Sequence, residues 1–374
     1  MIPFNKISIT DIEKKFVLDS INGNKICGDG LYTKKCYEFF KEKFNIKNIL
    51  LTTSCSHALD ITAILLDLKQ GDEVIVPSYT FVSTANSFLL RGAKPVFVDV
   101  EKDTMNIDAN LIEEKITDKT KAIFPVHYAG VACDMDKIMK IAKKYNLKVV
   151  EDAAQAIGSF YKGKPLGTIG DIGCFSFHET KNYAMGEGGA IIVKDDSEFL
   201  KAEIIREKGT DRSQFIKGNI DKYTWHSVGS SYLPSDILAA LLFGQLTRFD
   251  EIMNKRMNAW NIYNIKLEKL ENEGKLKRQF IPDEKIHNAH MYYIILPDED
   301  TRNNVIKCLK EKEIYSAFHY IPLHTSPMGK KLNYKKGDLP ITEEYSKRLL
   351  RLPLWADIKD NEVEYICNCL EEIL

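Results

Sequence analysis

Hydrophobic and polar positions change period repeatedly along this chain. Short apolar runs bounded by turn residues alternate with stretches whose apolar positions recur every three or four residues. Val74-Ile75-Val76, Pro95 to Val100, Ala122 to Val126 and Leu147 to Val150 read as short buried strands. Between them lie stretches of helical spacing at Ser56 to Leu68, Phe81 to Leu90, Leu111 to Ile116 and Met135 to Tyr145. Upstream, Thr10-Asp11-Ile12-Glu13 fits a capping box opening a helix. Gly28-Asp29-Gly30 breaks the chain before a second helix, about Thr33 to Phe44. Strands and helices in alternation predict a mostly parallel α/β sheet covered on both faces.

The rhythm changes after Ile157. Strands at Ile172 to Phe177 and Ala190 to Val193 are too close in sequence for a crossover helix, so a hairpin or mixed sheet is expected there. Ser235 to about Leu270 has helical spacing and reads as a long connector. The remainder reads as α+β. It has a strand at Met291 to Leu296, a helix at Arg302 to Lys312 and a strand near Tyr315 to Tyr320. A loop follows at Met328 to Asp338, then helices at Glu343 to Leu350 and Glu362 to Ile373. The expected division is a large domain over residues 1–245, with an N-terminal helical arm, and a smaller domain over 246–374.

Composition narrows the function classes. The 374 residues are 44% hydrophobic and 28% charged, an ordinary globular balance with length for two domains. Basic and acidic residues number 52 and 53, leaving a net charge of −1, so bulk charge draws no nucleic acid. The amino terminus has no long apolar stretch, and the run Ile237 to Phe243 is too short to span a bilayer. A soluble, cytoplasmic protein without membrane partners is expected. Eight scattered cysteines form no Cys-x-x-Cys pair and no zinc spacing, which fits reduced thiols and no metal.

Lys181 is the first candidate for chemistry. It follows the aromatic strand Cys174-Phe175-Ser176-Phe177 and precedes the turn-forming cluster Gly186-Glu187-Gly188-Gly189. An amine on a turn in a partly desolvated site is readily tuned to neutrality, and a neutral amine forms a Schiff base with an aldehyde cofactor. Asp152, in Glu151-Asp152-Ala153-Ala154-Gln155, ends a strand, where open α/β sheets bind their ligands. A carboxylate there either caps a turn or holds a proton on a pyridine nitrogen. Gln155 is placed to approach a ring oxygen. Thr52-Thr53-Ser54-Cys55-Ser56-His57-Ala58 opens a helix, either as a plain N-cap or as a cradle for phosphate. Phe81 is either core or a stacking platform for a ring, and Ser176 offers a hydroxyl beside Lys181.

Together these segments resemble the nucleotide-sugar aminotransferases, the DegT-type family of fold-type I enzymes dependent on pyridoxal 5'-phosphate (PLP). The resemblance runs along nearly the whole chain. It rests on Ile2-Pro3-Phe4, Pro77-Ser78-Tyr79-Thr80-Phe81, Glu151 to Gln155 and Ser176-Phe177-His178-Glu179-Thr180-Lys181-Asn182. It implies a large α/β domain with a mixed seven-stranded sheet, a smaller C-terminal domain, and active sites at a homodimer interface. It implies Lys181 as the Schiff-base lysine and Asp152 as the partner of the ring nitrogen. Gln155 falls near the ring oxygen, and Ser176 on the phosphate beside Ser54, Cys55 and Ser56. Many members carry Asn-Tyr-Arg-Met before the long helix, the asparagine reaching the partner's phosphate. Here Gly229-Ser230-Ser231-Tyr232-Leu233-Pro234-Ser235 puts Ser231 in that place. That stretch and the His-Glu-Thr-Lys-Asn loop look like one branch, the TDP-4-oxo-6-deoxy-D-glucose transaminases. The branch implies transfer of the amino group of L-glutamate to C4, giving TDP-4-amino-4,6-dideoxy-D-galactose for surface polysaccharide such as enterobacterial common antigen. His178 and Tyr183 in the lysine loop, with His319, Tyr320 and His324 in His-Tyr-Ile-Pro-Leu-His, complete the expected set as substrate contacts; a core role for the last histidines stays open.

Overall fold

The computed structural model describes residues 1–23 and 25–374. Among the described residues nine strands lie in the first half of the chain: β1 (Ile49–Thr52), β2 (Glu73–Pro77), β3 (Lys94–Val98), β4 (Thr120–Ile123), β5 (Lys148–Asp152), β6 (Phe160–Tyr161), β7 (Lys164–Pro165), β8 (Ile172–Ser176) and β9 (Gly189–Val193). Seven form one sheet in the order β1-β9-β8-β5-β4-β2-β3. Neighbours from β8 to β3 are parallel, and β9 is antiparallel to both β8 and β1. The reversal follows from the connection: β8 and β9 are joined by the loop that carries Lys181, so they pair as a hairpin.

Period two decides which side chain goes to which face. Ile75, Ile123, Val149, Phe175 and Ile192 pack with the helices Leu31–Phe44, Met135–Tyr145 and Asp236–Thr247. Val74, Val76, Ala122, Val150, Cys174 and Ile191 face the opposite layer, under the helices Cys55–Leu65, Val82–Leu89 and Asp196–Arg206. Both faces are covered, which is why the central strands carry so few polar residues.

The second half adds β10 (Lys277–Arg278), β11 (Lys285–Ile286), β12 (Tyr292–Ile295), β13 (Ala317–Phe318) and β14 (Leu349–Leu352). Four of them form an antiparallel sheet in the order β10-β12-β14-β13, whereas β11 pairs with β6 in the first half. The core of this sheet gathers Trp260, Tyr263, Tyr292, Ile294, Leu350, Leu352 and Ile366. The helix Phe249–Lys266 contributes Phe249 and Ile252 to the first core and Trp260 and Tyr263 to the second. Among the described residues no helix is long and apolar enough to cross a membrane.

Several expected elements differ. The long connector is three helices, Asp236–Thr247, Phe249–Lys266 and Glu268–Asn272. Its first break is at Arg248, whose guanidinium is buried and held by Glu13 at 2.8 Å and Glu251 at 2.9 Å. Helix is lost over Leu111 to Ile116 except for one 3₁₀ turn, Glu113–Lys115. The helix expected to Leu350 stops at Arg348, and Leu349–Leu352 is central strand β14, because β12 and β13 supply ladder partners on both sides. Of Tyr315 to Tyr320 only Ala317–Phe318 joins the ladder. The loop expected from Met328 opens instead as a short helix, Pro327–Lys331, with Ser326 Oγ accepting from Gly329 N.

Candidate active site

Four strand ends meet at one edge of the large sheet. Ser176, Gly189 and Thr52 are in register across β8, β9 and β1, and Asp152 ends neighbouring β5. This is the carboxyl edge of the parallel strands, where such sheets bind ligands. A cavity of about 580 Å³ opens there, and Lys181, Asp152 and the first turn of the helix Cys55–Leu65 line it.

Backbone hydrogen bonds draw the Lys181 loop tight. Phe177 N donates to Gly188 O, Met185 N to Phe177 O, Glu179 N to Gly186 O and Lys181 N to His178 O, each at 2.8–2.9 Å. Side chains following the lysine pin it further. Asn182 Nδ2 donates to Asn288 O at 2.7 Å, and Asn182 Oδ1 lies 2.9 Å from His290 Nδ1. The lysine therefore projects from an ordered turn, and no carboxylate forms an ion pair with its Nζ among the described residues. Burial is the main reason its pKa lies below the ordinary lysine value; Arg351 lowers it further, while Cys55 and Asp152 act the other way. The free amine is therefore available at lower pH than on a surface lysine. Peptide-resolved labelling of cofactor-free protein with an amine-reactive reagent should level off below pH 10.5 at Lys181 and keep climbing at exposed lysines.

Asp152 is buried. Its Oδ2 accepts from Thr84 Oγ1 at 2.7 Å and its Oδ1 from Ala154 N at 3.1 Å. Thr84 in turn lies 2.9 Å from Thr80 Oγ1. Each carboxylate oxygen keeps a lone pair for a further donor. Gln155 Oε1 accepts from Ala129 N at 2.7 Å, and its Nε2 donates to Tyr320 OH at 3.1 Å, so the amide is fixed across the two halves of the chain.

An anion site is built at the first turn of the helix Cys55–Leu65. Ser54 is its N-cap, accepting from His57 N at 3.0 Å. Cys55 N and Ser56 N, the first two N–H groups of the helix, have no acceptor among the described residues. Ser56 Oγ is 2.6 Å from Ser83 Oγ, and Ser176 adds a hydroxyl on the same wall. Gly189 lets this turn sit against the sheet: a Cβ there would lie 2.4 Å from Cys55 N and 2.5 Å from Ser54 C. Gly189→Ala should push the turn outward and weaken inorganic phosphate binding by about tenfold or more, measurable by calorimetry on cofactor-free protein, a loss near 1.4 kcal/mol.

The second half closes the cavity with His290, His319, Tyr320 and Arg351, and the N-terminal residues Phe4 and Asn5 join the lining. Burial holds both histidines well below their ordinary pKa, with Lys181 and Arg351 adding to the effect, so both rings are neutral at pH 7. Tyr128 OH is 3.0 Å from His319 Nδ1. Asn5 Nδ2 donates to Glu179 O in the lysine loop at 3.4 Å.

The cavity brings together Ser54, Cys55, Ser56, Asp152, Gln155, Ser176 and Lys181, and with them Phe81, His178, His319 and Tyr320. Phe81 is 57% exposed, so one face is open to the cavity mouth. Three expected residues lie elsewhere. Tyr183 is in the core, stacked on Phe249 at 4.3 Å with its hydroxyl donating to Phe249 O; it is an anchor of the loop and does not meet the cavity. His324 is fully buried between Ser78 Oγ at 2.7 Å and Glu343 Oε1 at 3.0 Å, which corrects it from a substrate contact to a structural bridge. Ser231 is exposed and bridges Glu207, outside this chain's cavity.

Sequence reasoning missed Thr84, His290 and Arg351. Arg351 had a signal, a lone cation in the apolar run Leu349-Leu350-Arg351-Leu352. Nothing in the local pattern marks Thr84.

Known proteins match this arrangement. The family model described as the DegT/DnrJ/EryC1/StrS aminotransferase family matches residues 8–371. An uncharacterized protein of Methanocaldococcus jannaschii is 36% identical, with 96% of this chain and 94% of the relative covered. GDP-perosamine synthase of Escherichia coli O157:H7 is 32% identical, covering 99% of this chain and 98% of its own. Among solved structures, the candidate sugar aminotransferase Spr1654 of Streptococcus pneumoniae in its PMP-form superposes with a TM-score of 0.92 at 29% identity, covering 100% of both chains.

Proposed function

The chain belongs to the DegT/DnrJ/EryC1/StrS aminotransferase family, and from that premise we propose that it moves the amino group of L-glutamate, with PLP as cofactor, to the keto carbon of a nucleotide-linked sugar. The observation that carries this reading is the desolvated amine of Lys181 in one cavity with the buried carboxylate of Asp152 and a helix turn whose N–H groups lack acceptors. That donor set fits PLP: an amine for its aldehyde, a carboxylate for its ring nitrogen, and a backbone cradle with Ser54, Ser56 and Ser176 for its phosphate. When bound, the cofactor supplies an electron sink for the carbon that loses its proton.

The residues do the rest. Lys181 Nζ would take the proton from the substrate carbon as base and later return one as acid; burial, which lowers its pKa, favours the free amine. Asp152, oriented by Thr84 and Ala154, would hold the proton on the ring nitrogen. Gln155 would orient the ring oxygen. Neutral His319 and His290 and Tyr320 wall the site and exclude water. His178 lies at the rim, its Nδ1 2.9 Å from Thr180 Oγ1, where the sugar enters.

The finer reading is TDP-4-keto-6-deoxy-hexose as acceptor and TDP-4-amino-4,6-dideoxy-D-galactose as product, supported by the Gly229 to Ser235 stretch and the lysine loop. A GDP-linked keto sugar is the second reading, favoured by the match to GDP-perosamine synthase along 99% of this chain. A homodimer with shared sites accounts for the surface near Ser231, where Trp225 is 76% and Val228 60% exposed. Cofactor-loaded protein mixed with L-glutamate should change from the aldehyde-form to the amine-form spectrum and release 2-oxoglutarate. Offering TDP- and GDP-linked keto sugars and simple keto acids to the amine form then identifies the acceptor. Return of the aldehyde form only with keto acids would overturn the sugar reading.

A further inference from the structure

Among the described residues Arg351 is the one guanidinium lining the cavity. It sits on β14 between Tyr293 on β12 and Ala317 on β13, so its backbone is fixed by ladders on both sides. Its guanidinium carbon lies 4.6 Å from the centre of the Phe4 ring, a cation–π contact. Its Nε is buried with no acceptor, and among the described residues no carboxylate pairs with it. Asp152, the buried carboxylate of the cavity, is held by Thr84 and Ala154 instead. A cation taken out of water without a partner is costly, and burial accordingly depresses its pKa. Such a group is stabilised by a bidentate anion arriving in the cavity.

The choice of anion follows from reach. The reacting carbon must lie at Lys181, and Arg351 lines the same cavity as Lys181. In an amino acid the α-carboxylate is one bond from that carbon. In a sugar nucleotide the nearest phosphate is separated from C4 by the width of the sugar ring. Resting on the aminotransferase reading above, we infer that Arg351 receives a carboxylate of the amino-acid donor through its fork, with Phe4 packed against the guanidinium.

The test uses the cofactor-loaded protein, with Arg351→Gln and Arg351→Lys beside wild type. Binding of glutarate, a dicarboxylate that cannot react, is measured by calorimetry, and the two half-reactions are followed by cofactor absorbance. Arg351→Gln should weaken glutarate and L-glutamate by about 30-fold or more, the scale for removing one partner of a desolvated charge pair. Its return half-reaction with the keto sugar nucleotide should fall by a clearly smaller factor than its half-reaction with L-glutamate. Arg351→Lys keeps the charge without the fork and should fall between the two. Should Arg351→Gln unfold, Arg351→Lys decides alone: unchanged glutarate affinity overturns the inference. It is equally overturned if Arg351→Gln binds glutarate as wild type does, or if both half-reactions fall together. Wild type that binds glutarate but never reacts with glutamate sinks the aminotransferase reading and leaves the glutarate comparison to judge the arginine.

Discussion

Lys181→Ala is expected to lower turnover by at least 10²- to 10⁴-fold, the range for removing a positioned acid–base group. Loss of the covalent anchor adds to that. The fold should survive, because the loop is held by bonds that do not involve the lysine side chain: Phe177 N to Gly188 O, Met185 N to Phe177 O, and Asn182 to Asn288 and His290. Removing a half-buried amine with no carboxylate partner leaves no orphaned charge behind. Borohydride reduction of PLP-loaded wild type should place the label on the peptide containing Lys181, and the variant should take none there. A small amine such as methylamine should restore part of the activity, since the missing group is a free base. A label on a different lysine of the wild type would end the present account of the site.

The second large effect is at Asp152. Asp152→Asn keeps the shape and the bond from Ala154 N but removes the charge that we propose holds the ring nitrogen's proton. Breaking one side of a buried pair costs about 3–5 kcal/mol, and each 1.36 kcal/mol is tenfold in rate, so single-turnover rates with glutamate should fall by about two to four powers of ten. Thr84→Val removes the 2.7 Å hydrogen bond to Oδ2 while leaving the charge. Its effect should be smaller, about tenfold, on the scale of one hydrogen bond to a charged group. Equal losses in the two variants would mean that Asp152 acts as a structural cap of its turn and not through its charge.

The site was legible where chemistry is local. Asp152 closes a strand, Lys181 follows one, and Ser54 opens a helix. All three positions are marked by punctuation in the apolar pattern, and the sheet carries them to one edge because parallel strands share a carboxyl end. The β8–β9 reversal was readable from the short link between the two runs. Tyr183 was misread, and His324 takes the core role left open for it, for one reason: each lies beside a motif in sequence, yet side-chain direction and packing send it to the core. Leu349–Leu352 was misread because strand or helix there depends on ladder partners on β12 and β13, from Tyr292↔Leu352 to Phe318↔Leu350, that lie tens of positions away in the chain.

Alternation and turn signals along the chain were enough to dictate a covered α/β sheet, a hairpin bearing a lysine, and a carboxylate at a strand end, since each depends on neighbours a few residues apart. The pairing of that lysine with Arg351, Phe4, His290 and Tyr320 was set by folding alone. Those residues come from both ends of the chain, and what brings them together is the docking of a second core on the first, a long-range outcome of buried apolar area that no local period encodes.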